Sequence, residues 1–270
     1  MPNFDPMWRT LLLVLCITIG TSIANAQQIR PITIGKAHQF RSRSLDEVRE
    51  LNIVLPEGHH PDSTYHVFYL LDGSVNEDLL HVAGLMQFLT MIGKMPPSIL
   101  VGVANVDRKR DFTSPTLNEQ DRKDLPTSGG SQKFIPFLAN EVPQQVASIY
   151  KVHPGGTVIG QSLGGLLLTE LLLEQRSAFN NFIIVSPSLW WNDGSIMQRL
   201  QNEAVALRSF PDRLIIMVGS EGHEMERDAR SFATTLKTVS TGSVELVHMP
   251  EEDHLTILHN ALYKAILMLN

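Results

Sequence analysis

Apolar and polar positions along this chain first alternate and then settle into helical spacing. Alternation over 38–44 and 49–55 predicts two strands joined by a turn, and the denser apolar run 65–71 predicts a more deeply buried strand. Helical spacing follows over 77–92, then a strand over 99–104. Helix returns over 131–150, with Pro143 expected to kink or break it. The second half repeats the scheme: strand 157–160, helix 164–175, strand 182–185, helix 195–207, strands 213–218 and 244–249, and a closing helix at 258–269. Antiparallel strands followed by repeated β-α units imply an α/β fold whose sheet is mostly parallel and covered by helices on both faces. Ligands in such sheets bind at the carboxyl ends of the strands.

No repeat, low-complexity block or linker divides 27–270, so a single catalytic domain is expected there, and a chain of 270 residues with 43% apolar content supplies one large core. The amino terminus differs in character. Arg9 precedes the apolar run 11–19, and Ala24-Asn25-Ala26 gives an A-x-A cleavage pattern, so 1–26 reads as a signal peptide and the mature chain is expected to start at Gln27. That places the protein in the periplasm or outside the cell. Nine apolar residues are too few to span a bilayer, so no stable membrane anchor is expected. Cys16 is the single cysteine and lies inside this leader, which excludes disulfides and thiol catalysis from the processed chain. Leu15 stands before it where lipidation wants a small residue. Net charge is −6 with or without the leader, so nucleic acid is a poor partner.

Candidate chemistry centres on Gly160-Gln161-Ser162-Leu163-Gly164, a G-x-S-x-G pattern between a predicted strand and a predicted helix. A turn that tight leaves no room for side chains two residues either side of the serine, which accounts for both glycines. A serine hydroxyl needs a base, and among ten histidines His254 has the right setting, in the acidic loop between the last strand and the last helix. His248 falls within the strand and His259 within the helix, which are structural positions. The third member should follow the strand 213–218, which puts Glu221 first, with Glu224, Asp228 or a Ser-His dyad as alternatives. Oxyanion donors map to the backbone of Leu163 and of Gly73 or Ser74. Arg108 and Arg110, with Trp190 and Trp191, are candidate substrate-binding residues that could hold an anionic group and stack on an aromatic one. No metal or cofactor is expected. His223-Glu224 opens like a zinc-protease motif, but Arg227 stands where the second histidine belongs, and His59-His60 reads as a solvent-facing loop pair.

With these residues in view, the chain resembles the putative esterase family of α/β-hydrolases, which includes enterochelin esterases, siderophore trilactone hydrolases, feruloyl-esterase-like enzymes and S-formylglutathione hydrolases. The resemblance spans about 35–268. It is carried by Tyr69-Leu70-Leu71-Asp72-Gly73, Asn105-Val106-Asp107-Arg108, Arg110-Asp111-Phe112-Thr113, the serine motif with Gly165, Ser186-Pro187-Ser188-Leu189-Trp190-Trp191, and Glu252-Asp253-His254. It implies the α/β-hydrolase fold, Ser162 as nucleophile and His254 as base, and leaves the acid open, since some trilactone hydrolases resemble a dyad arrangement. No amino-terminal accessory domain such as cytoplasmic enterochelin esterases carry is expected, and the chain resembles the shorter exported branch. Its export signal also disfavours the cytosolic S-formylglutathione role. The expected function is serine-dependent hydrolysis of small carboxylic esters through an acyl-enzyme. The alternatives are a periplasmic siderophore trilactone esterase and a non-catalytic binding protein on the same fold.

Overall fold

The structure, a computed structural model, describes residues 30–175, 177–203, 212–239 and 242–269. The expected leader 1–26 with Cys16, and residues 204–207 of one expected helix, lie outside them. The chain divides into units 1–33 and 34–270, and everything below concerns the second.

Eight strands form one sheet: β1 (Lys36–Arg41), β2 (Val48–Val54), β3 (His66–Leu70), β4 (Ser98–Val103), β5 (Thr157–Gln161), β6 (Asn181–Val185), β7 (Arg213–Gly219) and β8 (Ser243–Met249). Their order is β1-β2-β4-β3-β5-β6-β7-β8. The β1–β2 and β2–β4 pairs are antiparallel and all others parallel, as the alternation of strand and helix signals predicts. Side chains alternate across the sheet with period two. Val67 and Tyr69 enter one core layer and Phe68 and Leu70 the other, and Leu214, Ile216 and Val218 separate in the same way from Ile215 and Met217.

The helices are α1 (Leu79–Met91), α2 (Arg108–Asp111), α3 (Glu119–Asp124), α4 (Ser131–Pro136), α5 (Val142–Ala147), α6 (Leu163–Glu174), α7 (Trp191–Glu203), α8 (His223–Val239) and α9 (Ile257–Leu269). α1 and α9 pack on one face, and α4 to α8 on the other.

Three local outcomes refine the expectation. The helix over 131–150 is interrupted by a π-turn at Phe137–Glu141, in which the Val142 N–H reaches back to the Phe137 carbonyl. Pro143 follows at once in the first turn of α5, and its missing N–H and its ring disfavour ordinary α-turns there. In α7, Asn192, Asp193 and Gly194 all have positive φ (51°, 54° and 70°), so right-handed helix runs only from Ser195, where the spacing predicts it. α8 carries no expected element at all. Its buried stripe Ala229, Phe232, Ala233 and Leu236 has i, i+3, i+4, i+7 spacing, but the charged first turns obscure it.

Candidate active site

Parallel register delivers the site. Gln161 on β5 pairs with Val185 on β6, and Val185 with Met217 on β7, so the three strands end in step. The next residue on two of them is a serine in a strained backbone conformation: Ser162 has φ 59° and Ser186 φ 45°. Asp72, just past β3, has φ 54°. Positive φ in non-glycine residues costs on the order of 1–3 kcal/mol each, and here it gathers at one end of the sheet. Ser162 is held in its bend by its N–H donating to Val185 O (3.0 Å) and its carbonyl accepting from Leu166 N–H (3.0 Å) and Ser188 N–H (3.1 Å). Gly160 is obligatory at the elbow, because a Cβ there would lie 2.7 Å from Gly164 O.

The elbow brings the three principal candidates together. Ser162 Oγ lies 3.0 Å from His254 Nε2, and His254 Nδ1 lies 2.5 Å from Glu221 Oε2. Glu221 Oε1 accepts from the Ser186 hydroxyl and from Gly219 N–H (2.9 Å). Its side chain is 2% exposed, and burial alone would raise its pKa. The bonds from His254, Ser186 and Gly219 outweigh that and hold the carboxyl below the usual glutamate range. Gln161 secures His254 from behind by donating its side-chain amide to His254 O (2.6 Å). Glu224 and Asp228 both lie on α8 and pair with Arg227 instead, at 3.7 and 2.8 Å.

The other candidates divide. Leu163 opens α6, where helix geometry leaves the first N–H groups without intrahelical acceptors. Gly73 does not supply an oxyanion donor, since its N–H is spent on Val103 O (3.0 Å). It is glycine for a packing reason: a Cβ would lie 2.3 Å from Gly102 Cα. Ser74 N–H donates to Glu77 Oε2 (3.1 Å), so Glu77 must release it before an oxyanion could take its place. Arg108 does not line the cleft at Ser162: it is clamped to Asp72 by two bonds of 2.7 and 2.9 Å, with Asn105 donating to the same carboxylate (2.6 Å), and touches only the elbow backbone, at Gln161 O (3.4 Å). Burial pushes the Asp72 carboxyl up against the pull of Arg108 and Asn105.

Arg110 is committed elsewhere, to Asp111 and Glu47 at 2.7 Å each, and does not line the cleft at Ser162. Trp191 is likewise a core residue, 1% exposed, with its indole N–H on Ser114 O (3.0 Å). Trp190 is 38% exposed and does line the cleft. That open cleft, about 530 Å³, is bounded by Ser162, Ser188, Trp190, Met225, His254 and Leu255, with Ser220, Glu221 and Asp253 completing the wall. His59 stacks on Tyr65 with ring centroids 4.9 Å apart, so the loop pair is partly a packing element.

Sequence reasoning passed over Ser186 and Ser188 individually. Ser188 Oγ lies 3.4 Å from Ser162 Oγ, and the Ser186 hydroxyl donates to Glu221 Oε1. Two serines flanking a proline directly after a strand at the ligand-binding end of the sheet were the available signal.

A family model described as "Putative esterase" matches residues 42–246. Ferri-bacillibactin esterase BesA of Bacillus subtilis is 26% identical over 259 residues, covering 86% of this chain and 88% of that protein. An IroE-like serine hydrolase from Shewanella oneidensis superposes with TM-score 0.78 at 27% identity, covering 87% of this chain and 79% of the other. The BES protein from Bacillus cereus shares the fold with TM-score 0.77 at 24% identity, over 93% and 99% of the two chains.

Proposed function

The chain belongs to the putative esterase family of α/β-hydrolases and is an ester hydrolase; we propose that Ser162, His254 and Glu221 carry its reaction. The observation that supports this most is the unbroken line of contacts from Ser162 Oγ through His254 to the buried Glu221 carboxylate, opening on a cleft.

In this reading Ser162 Oγ attacks the ester carbonyl carbon while its proton passes to His254 Nε2. Glu221 fixes the ring with Nδ1–H toward itself and stabilises the imidazolium. His254 then returns the proton to the departing alcohol. Water repeats the sequence on the acyl-enzyme and releases the acid. Negative charge on the carbonyl oxygen is met by Leu163 N–H and by Ser74 N–H once Glu77 yields it. No step needs a cofactor.

Trp190, Met225 and the 91%-exposed Leu255 give the cleft an apolar rim suited to a flat, greasy group on the ester. A siderophore trilactone is the second reading, and the named activity of the Bacillus subtilis relative supports it better than Arg110 does. Turnover of iron-loaded and iron-free trilactones beside acetyl and feruloyl esters decides between the two, and equal or lower turnover of both trilactone forms removes the siderophore reading. Hydrolysis of a p-nitrophenyl ester tests the nucleophile. Ser162→Ala is expected to lose several powers of ten, on the order of 10⁶ as in another serine hydrolase. Undiminished turnover rejects the assignment.

Export with cleavage after Ala26 is part of the proposal. It is supported by the pattern of Arg9, the apolar run 11–19 and Ala24-Asn25-Ala26. Among the described residues no helix is long and apolar enough to cross a membrane. Amino-terminal sequencing of protein from the periplasm or medium should read from Gln27, and an intact leader on cytosolic protein contradicts export.

A further inference from the structure

Beyond the three principal residues, the carboxyl end of β6 sends a fourth side chain into the site. Ser186 is fully buried, and its N–H is tied to Met217 O at 2.7 Å. That anchor holds the residue at φ 45°, a region L-residues other than asparagine and aspartate avoid. A glycine would adopt this conformation without strain, yet the position carries a hydroxyl. The hydroxyl has one described partner, Glu221 Oε1, to which it donates a hydrogen bond. A hydroxyl is not needed to satisfy the carboxylate in a generic way, since Gly219 N–H already reaches the same oxygen.

The two bonds on Oε1 act from different directions, one from the end of β6 and one from the end of β7. Together they fix the plane of the carboxylate, and that plane decides whether Oε2 faces His254 Nδ1 at 2.5 Å. Gly165 clears the space for the turn that carries Ser186, since a Cβ there would sit 3.0 Å from Pro187 Cα. The same turn returns to the elbow through Ser188 N–H on Ser162 O. One rigid turn therefore spans from the acid to the nucleophile.

We propose that Ser186 is a positioning residue for the ester hydrolysis, acting through Glu221 by orienting its carboxylate toward His254. The inference rests on the reading of Ser162, His254 and Glu221 given above. No bond to Ser186 breaks during the reaction, and its proton stays on its own oxygen.

Ser186→Gly removes the hydroxyl and also relieves the positive φ, so the variant is expected to fold with a Tm at or above that of Ser186→Ala. On a p-nitrophenyl ester its kcat should fall about ten- to hundredfold, as expected for losing a hydrogen bond to a charged group, with KM within about twofold. In a Glu221→Ala background the same change should cost less than about twofold, because the group it acts through is gone. A purely structural Ser186 gives a folded Ser186→Gly enzyme with wild-type kcat, or an equal loss in both backgrounds, and either result overturns the proposal. Ser162→Ala in the same assay separates the two levels: if it stays active, the underlying reading fails. If it is inactive while Ser186→Gly is fully active, only the role of Ser186 fails.

Discussion

Glu221 and His254 meet at 2.5 Å, carboxylate oxygen to Nδ1, although they stand 33 positions apart with the whole of α8 between them. In the proposed reaction this contact distinguishes Glu221 from Glu224 and Asp228, the other two carboxylates close in sequence. Glu221→Gln keeps the shape but cannot hold the ring in the required tautomer, and kcat should fall by roughly 10⁴, the loss seen for the equivalent change in another serine hydrolase. Glu224→Gln and Asp228→Asn, which face Arg227, should stay within about twofold of wild type. Steady-state kinetics on a simple ester checks all three. A Glu221→Gln enzyme within tenfold of wild type means the pair Ser162 and His254 works alone.

A buried ion pair sets the position of the segment that carries Arg108. Arg49 is fully buried, reaches Asp111 Oδ2 at 2.8 Å, and lies over the rings of Phe134 and Phe137 at 5.1 and 5.2 Å. Asp111→Ala leaves that guanidinium short of a charge partner in the core and should cost about 3–5 kcal/mol. Urea denaturation measures it. A loss below about 1 kcal/mol would show that Glu47 alone suffices as the counter-charge.

Two glycines should respond in opposite directions. Gly73→Ala forces a methyl within 2.3 Å of Gly102 Cα and 2.4 Å of Val103 N, contacts no rotamer can relieve, and is expected to lose at least about 1–3 kcal/mol. Gly84 lies within α1 with nothing within 4 Å of the added Cβ, so Gly84→Ala should gain roughly 0.5–1 kcal/mol. Thermal unfolding of both variants reads the signs directly, and matching signs would contradict the packing account.

Acid should weaken the fold through His66. His66 stands at the exposed start of β3, where partial desolvation lowers its pKa below the usual histidine value and His153, stacked on it at 4.6 Å between ring centroids, lowers it further. The unfolded chain binds that proton more readily, so stability is complete above about pH 6.5 and is lost as pH falls through the depressed folded-state value. Stability of His66→Asn should depend less on pH between about 7 and 5. An unchanged slope in denaturant titrations would assign the acid sensitivity to other groups.

Much of the fold was legible because its signals are local. Alternation marked the first two strands, dense apolar runs marked the buried parallel ones, and the tight glycine-flanked bend marked Ser162. His254 and Glu221 followed from their offsets after β8 and β7. What stayed hidden depends on partners distant in sequence. Nothing near Arg110 announces that Glu47, 63 residues earlier, will hold it, and nothing near Trp191 announces Ser114 O. Gly73 looked like an oxyanion donor because glycine permits close approach, but the close approach it permits is to Gly102, and β4 takes its N–H. The stripe of α8 was readable from Ala229, Phe232, Ala233 and Leu236 once the charged residues 223–228 were set aside.

In the proposed reaction His254 activates Ser162 across their 3.0 Å contact. The most direct measurement is the rate of labelling by a fluorophosphonate, with the modified residue located by peptide mass. One adduct is expected, on Ser162, formed at least about a hundredfold more slowly in His254→Ala. Labelling of another residue, or equal rates in the two proteins, contradicts it.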